Sequence, residues 1–393
     1  MTYYLLPKTN AHVYEDIDCI FSTHAIEPYI SSSLAHYLYE IKIKIEEREY
    51  DWDLYKKYTN PYEYVHGLVP NKKKSVSKYK PLSRSYFKML EIMQTFNIRH
   101  ENSPIKTFHL AEGPGGFIEA VANTRNNKDD VYIGMSLLDD KNDPNIPGWK
   151  KTENFLRHNK NVYIERGKDG TGDILSIENF IECKNKYASS MSIVTGDGGF
   201  DFSIDFNKQE MNISKLLFAQ VCYALILQKR GGCFVLKIFD CFMKQSVDIL
   251  HILTSFYDKV YIIKPNSSRY ANSEKYIVCK GFLHSSIKTY YNFLHNAFEK
   301  MLSVAEPNCI HRFLNTPISN YFITKLEEYN AIFGQQQIEN IHHTIALIDN
   351  NNTDDKIDNM VKTNIQKAIQ WCNKFNVPCN AMFSSFSDNA IVK

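Results

Sequence analysis

From residue 105 onward, short apolar runs alternate with stretches of helical periodicity. The runs at 106–111, 131–137, 161–165, 191–196, 233–239, 258–264 and 275–283 read as strands. Amphipathic or apolar segments at 116–125, 149–158, 176–184, 208–229 and 243–256 read as the helices between them. Such alternation predicts a mostly parallel sheet with helices on both faces. The last two runs, DKVYIIK and KYIVCKGFL, are separated only by the polar loop PNSSRYANSE, so an antiparallel pair is expected at an edge of the sheet. The pattern therefore predicts a doubly wound α/β domain of seven strands, the last of them antiparallel.

On either side the texture changes. Residues 1–80 read as a polar, helical N-terminal extension, and 286–393 as a helical C-terminal region containing YYNFLHNAFEKMLSV and NMVKTNIQKAIQWCNKF. Between them, 81–285 forms the α/β domain. In YKPLSRSYFKMLEIMQTF, Leu82, Tyr86, Met89, Leu90 and Met93 share one helical face behind Pro81, which predicts a helix over 82–96. DNNNTDDK at 349–356 is too polar for packed structure and reads as an exposed loop. Internal repeats are absent from the sequence.

A chain of 393 residues can bury one large core and a smaller appended unit. Its 44% hydrophobic and 23% charged residues describe a globular protein. The net charge is only +2, so any surface that binds nucleic acid must be a local basic patch. Nine cysteines lie scattered, mostly in apolar runs, as expected for reduced, buried thiols. There is no CxxC pair, and Cys372 and Cys379 lack zinc-type partners nearby, so no metal is expected. MTYYLLPKTN has no signal-like apolar stretch. The apolar run LLFAQVCYALIL (216–227), flanked by Lys215 and Lys229, is too short to span a bilayer. A cytoplasmic protein without membrane contact is expected.

HLAEGPGGFIEA (109–120) places Gly113, Gly115 and Gly116 between a strand and a helix, where glycine permits positive φ and close backbone approach. A plain turn is one reading. A dinucleotide fingerprint would need glycine where Ile118 stands, and a phosphate loop would need GK[ST], which is missing. The helix N-terminus could instead receive a carboxylate, with Glu112 near the cationic end of a methionine-type cofactor. Three charges then interrupt strand ends: Asp197 in VTGDGGFDF, Lys237 in GGCFVLKIFDCF and Glu274 in SSRYANSEKYIVCKGF. A lone charge there is usually a solvated terminus. Three at or beside the carboxyl edge of one sheet, where open α/β sheets bind ligands, point to a site.

LAEGPGGF, DGTGDILSIENF, TGDGGFDF, GGCFVLKIFDCF and KPNSSRYANSEKYIVCKG, in that order, resemble the FtsJ-like RNA ribose 2′-O-methyltransferases over roughly residues 80–285. The resemblance is nearest to the enzymes of eukaryotes and large DNA viruses that methylate the first transcribed nucleotides of capped mRNA. It implies a class I methyltransferase (Rossmann-like) domain, S-adenosyl-L-methionine as cofactor, capped mRNA as partner alongside other capping or transcription proteins, and a Lys-Asp-Lys-Glu tetrad. The last three members fall on Asp197, Lys237 and Glu274. The first falls on Lys88; Lys78 and Lys80 lie close by, and the register of the 82–96 helix favours Lys88.

That chemistry suits these side chains. A ribose 2′-hydroxyl must lose its proton as it attacks a sulfonium methyl, and burial or a second ammonium helps a lysine act as the base. Lys237 is the expected base, Lys88 the residue that positions the hydroxyl, and Asp197 and Glu274 orient the lysines. Gly113, Pro114, Gly115, Gly116 and Phe117 would line the methionine part of the cofactor, and Asp197 would contact the cofactor as well as orient a lysine. The resemblance places Asp173 on the adenine, whereas spacing alone nominates Asp139 or Asp140 for the ribose.

For the RNA, NKKKSVSKYK (71–80) interleaves lysines with Tyr79, and Arg84 and Arg269 are further candidates. A solvated lysine loop is the competing reading of that run. Two other functions stay open: ribose methylation of uncapped rRNA or tRNA, and an inactive RNA-binding subunit of a capping complex. An intact tetrad argues against the second.

Overall fold

Strands whose two faces are both buried carry the centre of the molecule. The computed structural model describes residues 2–10, 12–24, 26–98, 103–138, 148–199, 209–350 and 354–384. In chain order the elements begin with β1 (Thr2–Leu5), β2 (Ile17–Ser22), α1 (Ser32–Glu46), α2 (Glu49–Tyr55) and α3 (Ser85–Thr95). The α/β alternation follows as β3 (Lys106–Leu110), α4 (Gly116–Arg125), β4 (Val131–Met135), α5 (Glu153–His158), β5 (Val162–Ile164), α6 (Ile177–Tyr187) and β6 (Met191–Gly196). It continues through α7 (Gln209–Leu227), β7 (Gln228–Ile238), α8 (Lys244–Phe256), β8 (Tyr257–Lys264) and β9 (Lys275–Phe282). The chain closes with α9 (Tyr291–Leu302), β10 (Cys309–Leu314), α10 (Asn320–Asp349), α11 (Asp354–Lys374) and α12 (Ala381–Ser384).

The main sheet runs β1-β8-β9-β7-β6-β3-β4-β5. Neighbours from β7 to β5 are parallel, and β9 is antiparallel to both β7 and β8. Alternate residues feed two cores, as the period-2 geometry of strands demands. Phe234, Leu236 and Ile238 pack with α7 and α8 on one face, while Cys233 and Val235 pack with α3, α4 and α11 on the other. Helix α7 passes the length and apolarity test for a membrane span, yet nearly all of it is buried in the first of these cores.

Two expectations change. The sheet has eight strands rather than seven, and the antiparallel last strand lies inside it, between β7 and β8, not at an edge. The extra strand is β1, in a segment expected to be helical. Its tyrosines alternate: Tyr4 stacks on Tyr329 at 4.6 Å, and Tyr3 meets Phe96 edge-on at 5.1 Å. That alternation fits a strand on the open side of β8, where the backbone pairs from Thr2↔Lys264 to Leu5↔Tyr261. The flanking regions are not purely helical either, because β2 and β10 form a separate antiparallel pair. Asp248 of α8 anchors that pair by binding the Arg312 guanidinium at 2.8 Å and the Phe313 N–H at 2.9 Å.

Strand register determines which side chains meet. Leu110 of β3 pairs with Gly196 of β6, and Gly196 with Leu236 of β7. The glycine loop, Asp197 and Lys237 therefore leave the sheet at one level of its carboxyl edge. Lys237 lies opposite Tyr276 of β9, which places Glu274, two residues earlier, beside the same edge.

Candidate active site

Ser85–Thr95 lies across α4 so closely that a Cβ on Gly116 would sit 2.2 Å from the hydroxyls of both Ser83 and Ser85. Glycine there is a packing requirement, and it brings the Lys88 helix against the glycine loop. Gly115, with φ of 101°, turns the chain into α4, and its N–H donates to the Glu112 carbonyl at 2.7 Å.

From sequence, Glu112 is expected to face a ligand. The structure buries it instead: Oε1 accepts the Ile118 N–H at 2.8 Å, and His109 Nδ1 lies 3.7 Å from the same oxygen. Burial pushes the Glu112 carboxyl up, while His109 and the Ile118 N–H pull it down. Its side chain caps α4 and shapes the loop. Phe117 likewise turns its ring into the core, 5.8 Å from Tyr276, so only its backbone can line a ligand.

Pro114 accepts the Thr152 hydroxyl at 2.7 Å, and Gly113 backs onto Gly148, so residues 148–152 lie against the loop. Asp173 stands at the same edge, half-buried, its Oδ1 accepting the Leu175 N–H at 2.9 Å. The turn before it is tied to the end of β4 by the Leu138 N–H donating to the Thr171 carbonyl at 2.7 Å. Asp139 and Asp140 lie outside the described residues.

The four tetrad residues converge as two ion pairs. Lys88 Nζ lies 2.6 Å from Glu274 Oε1 and 2.7 Å from Oε2, with both side chains largely buried. Lys237 Nζ lies 3.3 Å from Asp197 Oδ1 and donates to the Asp197 carbonyl at 2.6 Å. The pairs also feel each other: burial raises the Glu274 carboxyl, but Lys88 and Lys237 together hold it well below the ordinary carboxylate range. Burial pushes the Lys88 ammonium down in pKa, Glu274 pushes back, and Arg84 adds to the lowering. Lys237 is the more exposed lysine, with the Gly199 backbone packed close beside its Nζ. Lys78 and Lys80, the other sequence candidates for the first lysine, are exposed and take no part in either pair.

Several supporting residues escaped the sequence reading. Ser268 donates its hydroxyl to Glu274 Oε1 at 2.7 Å, and Tyr276 donates to Asp197 Oδ1 at 3.3 Å. The SSR triplet before Glu274 was visible, but nothing in the sequence tied its second serine to that carboxylate.

Two recesses lie next to tetrad-bearing segments, one reaching Arg84 a turn before Lys88 and the other Ser273 beside Glu274. One, of about 480 Å³, is lined by Lys73, Lys74, Lys80, Arg84, His66 and Tyr79. Among the described residues, Arg84 Nε and His66 Nε2 are buried there without a hydrogen-bond partner. The imidazole is pushed down to about 3 by burial and by Arg84, which leaves it neutral at physiological pH. The other recess, of about 260 Å³, has Trp52 and Phe239 in its walls together with Lys42, Arg269 and Ser273. Arg269 holds Glu63 through two bonds, at 3.0 and 2.6 Å. A wider cleft of about 860 Å³ lies between α10, α11 and residues 58–61.

Comparison with known proteins fits this geometry. The sequence profile of the family described as FtsJ-like methyltransferase matches residues 81–282. The chain is 27% identical over 380 residues to cap-specific mRNA (nucleoside-2′-O-)-methyltransferase 2 of Pongo abelii, covering 88% of this chain and 45% of that protein. It is 41% identical over 119 residues to cap-specific mRNA (nucleoside-2′-O-)-methyltransferase 1 of Trypanosoma brucei brucei, covering 30% of this chain and 32% of that protein. The chain thus spans less than half the length of these two curated relatives. Among solved structures, a ribosomal RNA methyltransferase from Plasmodium falciparum aligns at 19% identity over 51% of this chain and 98% of that one. Its TM-score of 0.36 is too low to carry weight.

Proposed function

This chain belongs to the FtsJ-like methyltransferase family, and from that premise we propose that it methylates a ribose 2′-hydroxyl near the 5′ end of capped mRNA, using S-adenosylmethionine. The observation that carries the reading is the convergence of the Lys88–Glu274 and Lys237–Asp197 pairs beside the glycine loop. S-adenosylmethionine, when bound, supplies a methyl group activated by its sulfonium. The residues at this edge fit such a molecule: the N-terminus of α4 faces the loop and suits a carboxylate, and half-buried Asp173 offers an acceptor nearby. The backbone from Gly113 to Phe117 would hold the methionine part, and Asp173 the adenine.

Lys237, the less buried of the two lysines, takes the proton from the 2′-hydroxyl, a role worth about 10²–10⁴-fold. Lys88, held by both Glu274 oxygens, keeps the hydroxyl oxygen in line; correct placement of reactants can contribute more than the base itself. Asp197 and Glu274 fix the two ammonium groups.

The recess lined by Lys73, Lys74, Lys80 and Arg84 suits the phosphates of a 5′ end, since the buried Arg84 Nε–H gains a charge-assisted acceptor. The recess with Trp52 and Phe239 offers aromatic surface for a base, with cations around it. The cap-specific names of the relatives favour capped mRNA over other RNAs.

Methyl transfer to short RNAs ending in m7GpppN, GpppN or a 5′-phosphate tests the substrate assignment. The m7GpppN RNA is expected to react at least about tenfold faster than either of the others, about 1.4 kcal/mol of discrimination at the transition state. Equal rates on all three would remove cap dependence and favour an uncapped RNA.

A further inference from the structure

Lys88 and Glu91 stand three residues apart on α3, so both leave the helix on neighbouring parts of one face. Glu91 is fully buried, and its carboxylate gathers four donors. Oε1 accepts the Asn266 N–H at 2.8 Å. Oε2 accepts the Ser267 N–H at 3.1 Å, the Ser267 hydroxyl at 2.9 Å and the Trp371 indole N–H at 3.1 Å. Burial pushes this carboxyl up, while the donors favour its ionised form.

The next residue along the loop, Ser268, donates to Glu274, and Glu274 holds Lys88. The contacts close a ring: from α3 through Glu91 to residues 266–268, on to Glu274, and back through Lys88 to α3. Lys264 fixes the far end of the same loop. Its Nζ donates to the carbonyls of Asn272 at 2.6 Å and of Glu274 at 2.8 Å.

We propose that Glu91 is a positioning residue for the reaction: braced by Trp371 of α11, it sets the 266–268 turn so that Ser268 fixes Glu274 and, through it, Lys88. The inference rests on Lys88 and Glu274 acting at the reacting ribose. It also gives the C-terminal region a part in the site, because α11 reaches the tetrad through one indole N–H. The Trp371 ring packs edge-on to Phe87 at 5.7 Å, which keeps that N–H aimed at Glu91. A glutamine at 91 would turn an amide N–H₂ toward donors that need an acceptor, so the turn must shift. Misplacement of a reacting group by about 1 Å can lower a rate about 10²-fold.

The test compares Glu91→Gln, Trp371→Phe and Glu274→Gln in the full chain, with kcat and KM measured on capped RNA. Rates are expressed per S-adenosylhomocysteine-binding site, so unfolded molecules do not count. Glu91→Gln is expected to lower kcat about 10–100-fold while KM and S-adenosylhomocysteine affinity stay within about twofold. Trp371→Phe keeps the ring and removes the donor, and should lower kcat about two- to fivefold with the same split. Unchanged kcat per binding site in Glu91→Gln, or a fall matched by a parallel rise in KM, overturns the proposal. If Glu91→Gln does not fold, unchanged kcat in Trp371→Phe overturns it alone. Full activity in Glu274→Gln would instead overturn the tetrad reading from which the inference starts.

Discussion

Lys237→Ala lowers single-turnover methyl transfer about 10²–10⁴-fold and leaves cofactor binding within about twofold of the unaltered chain. The split follows from where Lys237 stands. Its Nζ is bound by the Asp197 carbonyl and carboxylate at the end of β7, and it is the more exposed of the two tetrad lysines. Among the described residues, no hydrogen bond or ion pair joins this side chain to the glycine loop or to the Asp173 turn, where the cofactor is proposed to sit. On the proposed assignment, truncation removes the proton acceptor and spares the loop contacts of the cofactor. Rapid-mixing transfer assays, with calorimetric titration of S-adenosylhomocysteine in parallel, read both quantities. Normal turnover would take the base role from Lys237, and loss of cofactor affinity in step with rate would make its role structural.

Glu274→Ala is expected to be the more damaging change, because it strikes stability and chemistry together. Lys88 keeps only 7% of its side-chain surface exposed, and both of its short contacts are to Glu274. Removing one partner of a buried ion pair typically destabilises by about 3–5 kcal/mol, since the remaining charge is left without compensation. The melting temperature should fall by several degrees, and transfer should be lost in the molecules that stay folded. Replacing both partners, Lys88→Met with Glu274→Leu, separates the two effects. An apolar pair of similar size commonly restores stability or exceeds it, so the double variant should melt near the unaltered chain and still transfer no methyl. Activity in the double variant would show that the pair serves the fold alone.

The frame of this molecule could be read from its sequence because both faces of the main sheet are buried. Strands of that kind appear as near-continuous apolar runs, and polar or glycine-rich punctuation marks their ends. Thus α4 (Gly116–Arg125) and β6 (Met191–Gly196) occupy the spans expected for them. Pairing over long distances was not legible. The four residues of β1 become a strand only because β8, more than 250 residues later, offers open hydrogen-bonding groups. The β2–β10 pair and the insertion of β9 between β7 and β8 likewise depend on the assembled fold.

The same distinction holds at the site. Asp197, Lys237 and Glu274 could be picked out because each interrupts or borders an apolar run, and the resemblance of the surrounding motifs gave them roles. Lys88 needed helix register as well. Glu91 could not be found, because a glutamate on a helix reads as a surface charge, and its donors come 175 to 280 residues later. For Glu112 and Phe117, position in the motif was informative and side-chain direction was not. Both turn inward, where they shape the glycine loop.

Transfer to the ribose oxygen is the central claim, and removing that oxygen tests it most directly. Two capped RNAs of identical sequence are compared, one with ribose and one with 2′-deoxyribose at the first two transcribed nucleotides, and the products are digested and weighed by mass spectrometry. The account predicts a methyl group on the ribose of the first RNA and no transfer to those nucleotides in the second. A methyl group that still arrives on a 2′-deoxy nucleotide would place the reaction on a base or phosphate and contradict it.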